Sequence, residues 1–237
     1  TLYFESFNLL LRRYSGNGKI YYCITVIKVG ERMYNFCRAI LTFILIKVCK
    51  SLEVHGKENI PQLYRYVVTC THESYNEVIM LGLAISPNQI HYMAKKELFY
   101  NKYIGKFLKS LNAFPVDREN PGPSTLKQPI KLLKKNKTVG LFPAGQRTKK
   151  DEDAPLKRGA ATIAMMAGTP IVPAAYVGPK DIKGLFFGKA HIKFGEPIDT
   201  KSLPKSMKRN EKLTYITKEL EKRTKALHQE LVETYGD

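Results

Sequence analysis

Beyond residue 60 the chain alternates between two spacings of apolar positions. Short β-rich apolar runs occupy residues 66–71, 90–94, 113–116, 138–142, 171–176 and 191–194. Between them, residues 77–84, 96–111, 124–135 and 156–167 carry helical patterns. The first spacing predicts strands and the second predicts helices. Their alternation predicts an α/β sandwich, with a mostly parallel central sheet flanked by helices. In such sheets, functional groups collect at the carboxyl ends of the strands. Residues 206–235 follow as a long charged helical pattern with Leu213, Ile216, Leu220, Leu227 and Leu231 on one side, which predicts a closing helix packed on the domain.

The amino end reads differently. Residues 39–48, "AILTFILIKV", are apolar but for one lysine. A spanning helix needs roughly 20 apolar residues, so this run is too short to cross a bilayer. It fits a helix in the membrane interface, with Arg38, Lys47 and Lys50 reaching phosphates, or a helix packed on the protein's own core. The first methionine is Met33. The expected organisation is therefore an extension or upstream segment over residues 1–32, an interfacial membrane-anchoring helix over 33–50, and one α/β domain over 51–237. Within the extension, "KIYYCITVIKV" (19–29) is a second candidate interfacial segment. The elements of a cleavable signal peptide do not occur in order.

Charge narrows the partners. The 237 residues hold 39 Lys plus Arg against 21 Asp plus Glu, a formal charge of +18. This excess favours a polyanion: nucleic acid, an anionic membrane, an acidic carrier protein or a phosphorylated substrate. No basic patch with stacking aromatics and no nucleic-acid module is found, which argues against nucleic acid. Cys23, Cys37, Cys49 and Cys70 form no C-x-x-C and read as free thiols in a reducing compartment. The five histidines are scattered along the chain, so no metal site is implied.

The chemistry gathers around "VVTCTHESYNEVIML" (67–81). A strand ends at His72, and a carboxylate, Glu77, follows five residues later. In one continuous helix the two would sit about 140° apart. They can meet if His72 lies in the turn before a helix and Glu77 in its first turn, with Ser74 or Asn76 as the cap. The acid then fixes the ring's tautomer and leaves the other nitrogen free to take a proton from a hydroxyl. Other strand ends supply cations: Lys95 and Lys96 in "MAKKELF", Arg118 in "NAFPVDREN", and Arg147 after the Pro143–Ala144–Gly145 turn of "VGLFPAGQRTK". Guanidinium forks match phosphate oxygens, so this is the equipment of a phosphate pocket beside a general base.

With these residues the chain resembles the 1-acyl-sn-glycerol-3-phosphate acyltransferase family, most closely the short bacterial members of Bacillus-like organisms. "QIHYMAKKELF", "AFPVDRENPGPS", "PIKLLKKNKTVGLFPAGQRT", "PLKRGAATIA" and "IVPAAYVGP" carry the likeness, which runs from about Met33 to Pro197. Its four blocks fall on His72 to Glu77, Phe114 to Arg118, Phe142 to Arg147 and Ile171 to Pro173. The resemblance implies a glycerolipid acyltransferase-type sandwich with an acyltransferase catalytic domain over 51–237. It implies that His72 deprotonates the sn-2 hydroxyl of lysophosphatidic acid, which attacks an acyl thioester of acyl carrier protein or coenzyme A. Phosphatidic acid is then the product. It also implies that Arg118, Arg147 and Lys95 bind the acceptor phosphate, and that Pro143, Ala144 and Gly145 form a substrate or oxyanion turn. Neither a metal nor a cofactor is expected. Attachment is expected to be monotopic or peripheral, on an anionic membrane surface at the cytoplasmic face of a bacterial cell membrane. Two positions depart from the family: Glu77 stands where the first block has Asp, and Ala144 and Gln146 stand in a block that often reads F-P-E-G-T-R. An impaired member that still binds membrane and lysolipid, or an enzyme for another lysophospholipid acceptor, is the alternative these departures raise.

Overall fold

The computed structural model describes residues 8–16, 19–27, 29–62, 65–71, 74–117, 123–142, 158–204 and 206–236, with the backbone alone for 8–32, 123 and 124. Strands β1 (Asn8–Gly16) and β2 (Lys19–Ile27) pair antiparallel in register from Asn8↔Ile27 to Gly16↔Lys19. Residues 19–27, expected as an interfacial segment, are thus one arm of a hairpin. Helix α1 (Val29–Leu41) follows and runs on as a π-helix over Thr42–Val48, so the apolar run of residues 39–48 is helical throughout.

The domain is built on strands β3 (Leu52–His55), β4 (Val67–Cys70), β5 (Ile90–Lys95), β6 (Phe114–Val116), β7 (Thr138–Leu141), β8 (Ile171–Val177) and β9 (Ala190–Phe194). They form one sheet in the order β3-β9-β8-β4-β7-β5-β6. Every neighbouring pair is parallel except β8 with β9. Helices α2 (Asn76–Ala84), α3 (Lys102–Ser110), α4 (Pro123–Lys134), α5 (Arg158–Ala167), α6 (Gly184–Phe187) and α7 (Arg209–Tyr235) complete the domain. A parallel sheet covered on both faces is the arrangement the alternating pattern predicts.

Side-chain alternation along the strands divides the core. Val68 and Cys70 of β4 join Met80 and Leu81 of α2, Leu45, and Ile192 and Phe194 of β9 on one face. Val67, on the other face, packs with Ala160 and Ile163 of α5 and Leu213, Ile216 and Leu220 of α7. Leu227 and Leu231 extend that second face along β8. The carboxyl-terminal stripe therefore closes the domain as its spacing predicts.

One expectation needs correction, and the edge strand β3 has no counterpart in the predicted pattern. The helical run of residues 96–111 is broken. A 3-10 turn over Lys96–Phe99 precedes α3, and Asn101 caps the new helix, its Oδ1 accepting from Tyr103 and Ile104 N–H at 3.0 and 3.1 Å. An Asn side chain satisfies the orphan donors of a helix start, so a new helix begins there.

Candidate active site

Strands β4, β7, β5 and β6 are parallel, so their carboxyl ends share one edge of the sheet. Register makes Thr69 level with Leu141, Tyr92 with Gly140 and Lys95 with Val116, which ends the four strands almost together. The chain leaving these ends carries His72 after β4, Arg118 after β6, and Pro143, Ala144, Gly145 and Arg147 after β7. Those six residues lie outside the described residues. Glu77 and Lys95 lie within them.

Glu77 sits in the first turn of α2 and is only 1% exposed. Its Oε1 accepts from the Ser74 N–H at 3.0 Å and the Ser74 hydroxyl at 3.4 Å. The Asn76 N–H donates to Ser74 Oγ at 3.2 Å. Ser74 and Glu77 thus share a close variant of the capping box, in which each satisfies a group at the other's end of the turn. Of the two candidate caps, the serine does the capping. Asn76 instead donates Nδ2 to the carbonyls of Pro179 and Asp181, at 2.7 and 2.6 Å, tying α2 to the segment between β8 and α6. The signal S-x-x-E was present in the sequence; the role of Asn76 was not, because its partners lie more than a hundred residues away.

The carboxylate is felt by its neighbours. Burial first, and then the Glu77 charge, push the Cys70 thiol and the Tyr176 phenol well above their ordinary ranges. Cys70 is accordingly a protonated core residue rather than a nucleophile. Tyr176 donates its hydroxyl to Pro179 O at 2.8 Å, and its N–H donates to Thr71 Oγ1 at 3.1 Å, so the end of β4 is bonded to β8 just before His72.

The two lysines after β5 divide. Lys96 pairs with Asp117 at 2.5 Å, joining the ends of β5 and β6 one residue before Arg118. Lys95 is 3.9 Å from Glu97, and its side chain is 46% exposed. Lys95 also lines a cavity of about 420 Å³. Tyr34, Cys37 and Leu41 of α1, Val78, Ile79 and Gly82 of α2, and Leu108 of α3 line it with the end of β5. Its lining is mostly apolar, and the volume is within the range of small-molecule sites. Tyr92 forms part of the wall: its hydroxyl donates to Val78 O at 2.8 Å and its ring stacks on Phe142 with centroids 6.1 Å apart. Gly140 makes room for that ring, because a Cβ there would meet Tyr92 and Ile90 carbons at 2.7 Å. Spacing did not reveal this cavity, since four separate elements build it. Arg38, expected to reach phosphates, donates Nη1 to Pro87 O at 2.8 Å and lies on the cavity lining.

A level edge of parallel strands, a buried acid in the first helical turn and an adjoining apolar cavity make up the candidate site of an α/β protein. Residues 51–177 match the Acyltransferase family. The chain is 52% identical over 203 residues to the 1-acyl-sn-glycerol-3-phosphate acyltransferase of Bacillus subtilis, covering 84% of this chain and 98% of that protein. It is 37% identical over 180 residues to the enzyme of the same name from Streptococcus pneumoniae, covering 74% and 67%. The crystal structure of the LPA acyltransferase PlsC from Thermotoga maritima superposes with a TM-score of 0.61 at 23% identity, over 84% of this chain and 79% of that one. The chain belongs to the acyltransferase family, among whose members it is similar to bacterial 1-acyl-sn-glycerol-3-phosphate acyltransferases.

Proposed function

We infer that the protein is a 1-acylglycerol-3-phosphate O-acyltransferase that makes phosphatidic acid from lysophosphatidic acid and an acyl donor. Membership of the family and the 52% identity over nearly the full length of the B. subtilis enzyme support the reaction. The observation that carries the site is the buried Glu77 at the start of α2, held by Ser74 just after the β4 edge.

In this reading His72 is the general base, and Glu77 orients its ring and stabilises the imidazolium. His72 takes the sn-2 hydroxyl proton as that oxygen attacks the thioester carbonyl. The tetrahedral intermediate collapses by breaking the carbon–sulfur bond, and the imidazolium returns its proton to the departing thiolate. In the same reading the Pro143–Ala144–Gly145 turn is assigned as the oxyanion donor. Arg118, Arg147 and Lys95 hold the acceptor phosphate, with guanidinium forks on its oxygens and the lysine as a point charge. The 420 Å³ cavity, lined in part by Lys95 at the end of β5, takes an acyl chain. The donor is acyl carrier protein or acyl-coenzyme A, both polyanions matched to the +18 chain.

The site works at a membrane surface. Among the described residues, no helix is long and apolar enough to cross a bilayer. Helix α1 and the π-helix after it expose Phe36 and Phe43, each at 63%. The neighbouring α3 exposes Tyr103 at 83% and Phe107 at 52%, with Lys102, Lys106 and Lys109 among them. Exposed aromatics interleaved with lysines suit the anionic interface of a bilayer and support a peripheral attachment, which in this reading is to the cytoplasmic face of a bacterial membrane.

The test is acyl transfer to lysophosphatidic acid by the purified chain on anionic vesicles, with each thioester in turn and a His72→Ala control. His72-dependent phosphatidic acid is expected. Turnover by His72→Ala refutes its role as base, and absence of product from folded, vesicle-bound protein refutes the assigned reaction.

A further inference from the structure

Three residues that no part of this reaction uses converge at the β3–β9 edge of the sheet. Along β9, Ala190, Ile192 and Phe194 point into the core shared with α2; along β3, Leu52 and Val54 do the same. Alternation therefore sends Glu53, His55 and His191 to the other face, the one covered by α7. Glu53 and His191 are directly paired in the parallel register. His55 Nε2 lies 3.4 Å from His191 Nδ1, and Glu53 Oε2 lies 3.5 Å from the same nitrogen. All three ligand-capable atoms lie within 4.8 Å of one another.

These distances have a specific chemical meaning. Zinc bonds to imidazole nitrogen and carboxylate oxygen are about 2.0–2.2 Å long, so two ligands on one tetrahedral ion stand about 3.4 Å apart. The separations of 3.4 and 3.5 Å match that ligand-to-ligand spacing. The support around them is also what a metal centre needs. Lys189 donates to Glu53 Oε1 at 2.6 Å, which fixes the carboxylate and leaves Oε2 toward His191. The Tyr235 ring lies on the His191 ring, with centroids 3.8 Å apart and planes 8° from parallel, and also stacks on His55. Such partners set the orientation of ligating side chains. Without an ion, His191 Nδ1 faces two groups and satisfies one at a time, as donor to Glu53 or as acceptor from His55.

We propose that Glu53, His55 and His191 form a binding site for a borderline divalent transition ion of the zinc class, with water completing the coordination. Two imidazoles and one carboxylate select zinc, cobalt or nickel over calcium and magnesium, which take oxygen ligands. The site stands on the α7 face, whereas the helix carrying Glu77 packs on the opposite one. It is a structural clamp, fastening the edge strand β3 to β9 beneath the last turn of α7.

Tag-free, chelator-stripped full-length protein is titrated with Co²⁺, read by visible ligand-field absorption, and then with Zn²⁺ in competition. One saturable equivalent of Co²⁺ is expected, displaced by Zn²⁺ and raising the melting temperature. His55→Gln and Glu53→Gln leave the buried His191 in place and are each expected to weaken uptake at least about 100-fold, with circular dichroism unchanged. His72→Ala is expected to keep wild-type uptake. Failure of the stripped protein to take up a stoichiometric ion overturns the site, and so does wild-type uptake by either the His55 or the Glu53 variant.

Discussion

Gly82 offers a direct test of what the cavity holds. It lies on the face of α2 that lines the cavity, and an added Cβ would stand 3.4 Å from the Tyr92 hydroxyl, an ordinary contact. Gly82→Leu therefore fits the helix, where leucine is also the better former, and sends its remaining carbons into the cavity. The new side chain adds four carbons and displaces up to as many methylenes of a bound acyl chain. At about 0.8 kcal/mol for each methylene no longer buried, the transition state for a long chain loses about 3 kcal/mol, or roughly 200-fold in kcat/KM. A chain too short to reach Gly82 loses nothing. The assay is competition among thioesters of graded length at fixed acceptor, with products resolved by mass spectrometry, then the same series with graded lysophosphatidic acids at fixed donor. Steepening of one series and not the other identifies the chain that occupies the cavity. A uniform loss across all lengths in both series, or an unchanged length profile, refutes acyl binding there.

Other outcomes follow from the same geometry. Glu77→Asp withdraws the carboxylate by roughly 1.5 Å, which breaks its 3.0 Å bond to the Ser74 N–H; turnover is expected to fall about 10²-fold and stability by about 1–2 kcal/mol, measured by steady-state kinetics and urea unfolding, whereas a faster enzyme contradicts this. Replacing Phe36 and Phe43 with Ser is expected to weaken partition onto anionic vesicles by about 10-fold each, with transfer to detergent-dispersed substrate retained; unchanged sedimentation with vesicles argues against the α1 face. His91 is held neutral, its pKa lowered to about 4 by burial, with Lys137 adding to the effect. Because the unfolded chain binds that proton at the ordinary pKa near 6.5 and the folded chain does not, His91 removes stability as pH falls from about 6.5 to 4. In His91→Phe, the loss of unfolding free energy between pH 7 and pH 5 is expected to shrink; an identical pH slope excludes His91 as its source.

How much of this could be read from the chain depends on how far apart the partners lie. The β4-to-α2 turn was legible because its signals are local: an apolar strand run, Ser74 three residues before Glu77, then an apolar helix face. The common edge of the four strands was legible too, because alternation alone implies parallel pairing. The short strand β3 was not, since Leu52 and Val54 are only two apolar positions in a four-residue run. Asn101 was a readable cap inside what looked like one helix, and its meaning was masked by apolar positions continuing on both sides. The cavity and the convergence of His55 with His191 are products of packing, the second joining residues 136 positions apart. Histidines scattered in sequence are neighbours in space because β9 returns beside β3.

Helix α1 has two jobs at once, exposing Phe36 outward while Tyr34, Cys37 and Leu41 line the cavity. On the proposal that this face meets a bilayer, lipid reaches the cavity from the leaflet and not from solution. The quantity expected to govern the rate is then the mole fraction of lysolipid in the leaflet, not its bulk concentration. Diluting the substrate with inert lipid at constant total amount then slows turnover, whereas adding buffer to fully bound vesicles does not. A chain entering past α1 also keeps its methylenes out of water throughout, avoiding about 0.8 kcal/mol for each one that would otherwise be exposed on the way. On that proposal the wall made by α1 sets the dimensionality of the reaction as well as its address.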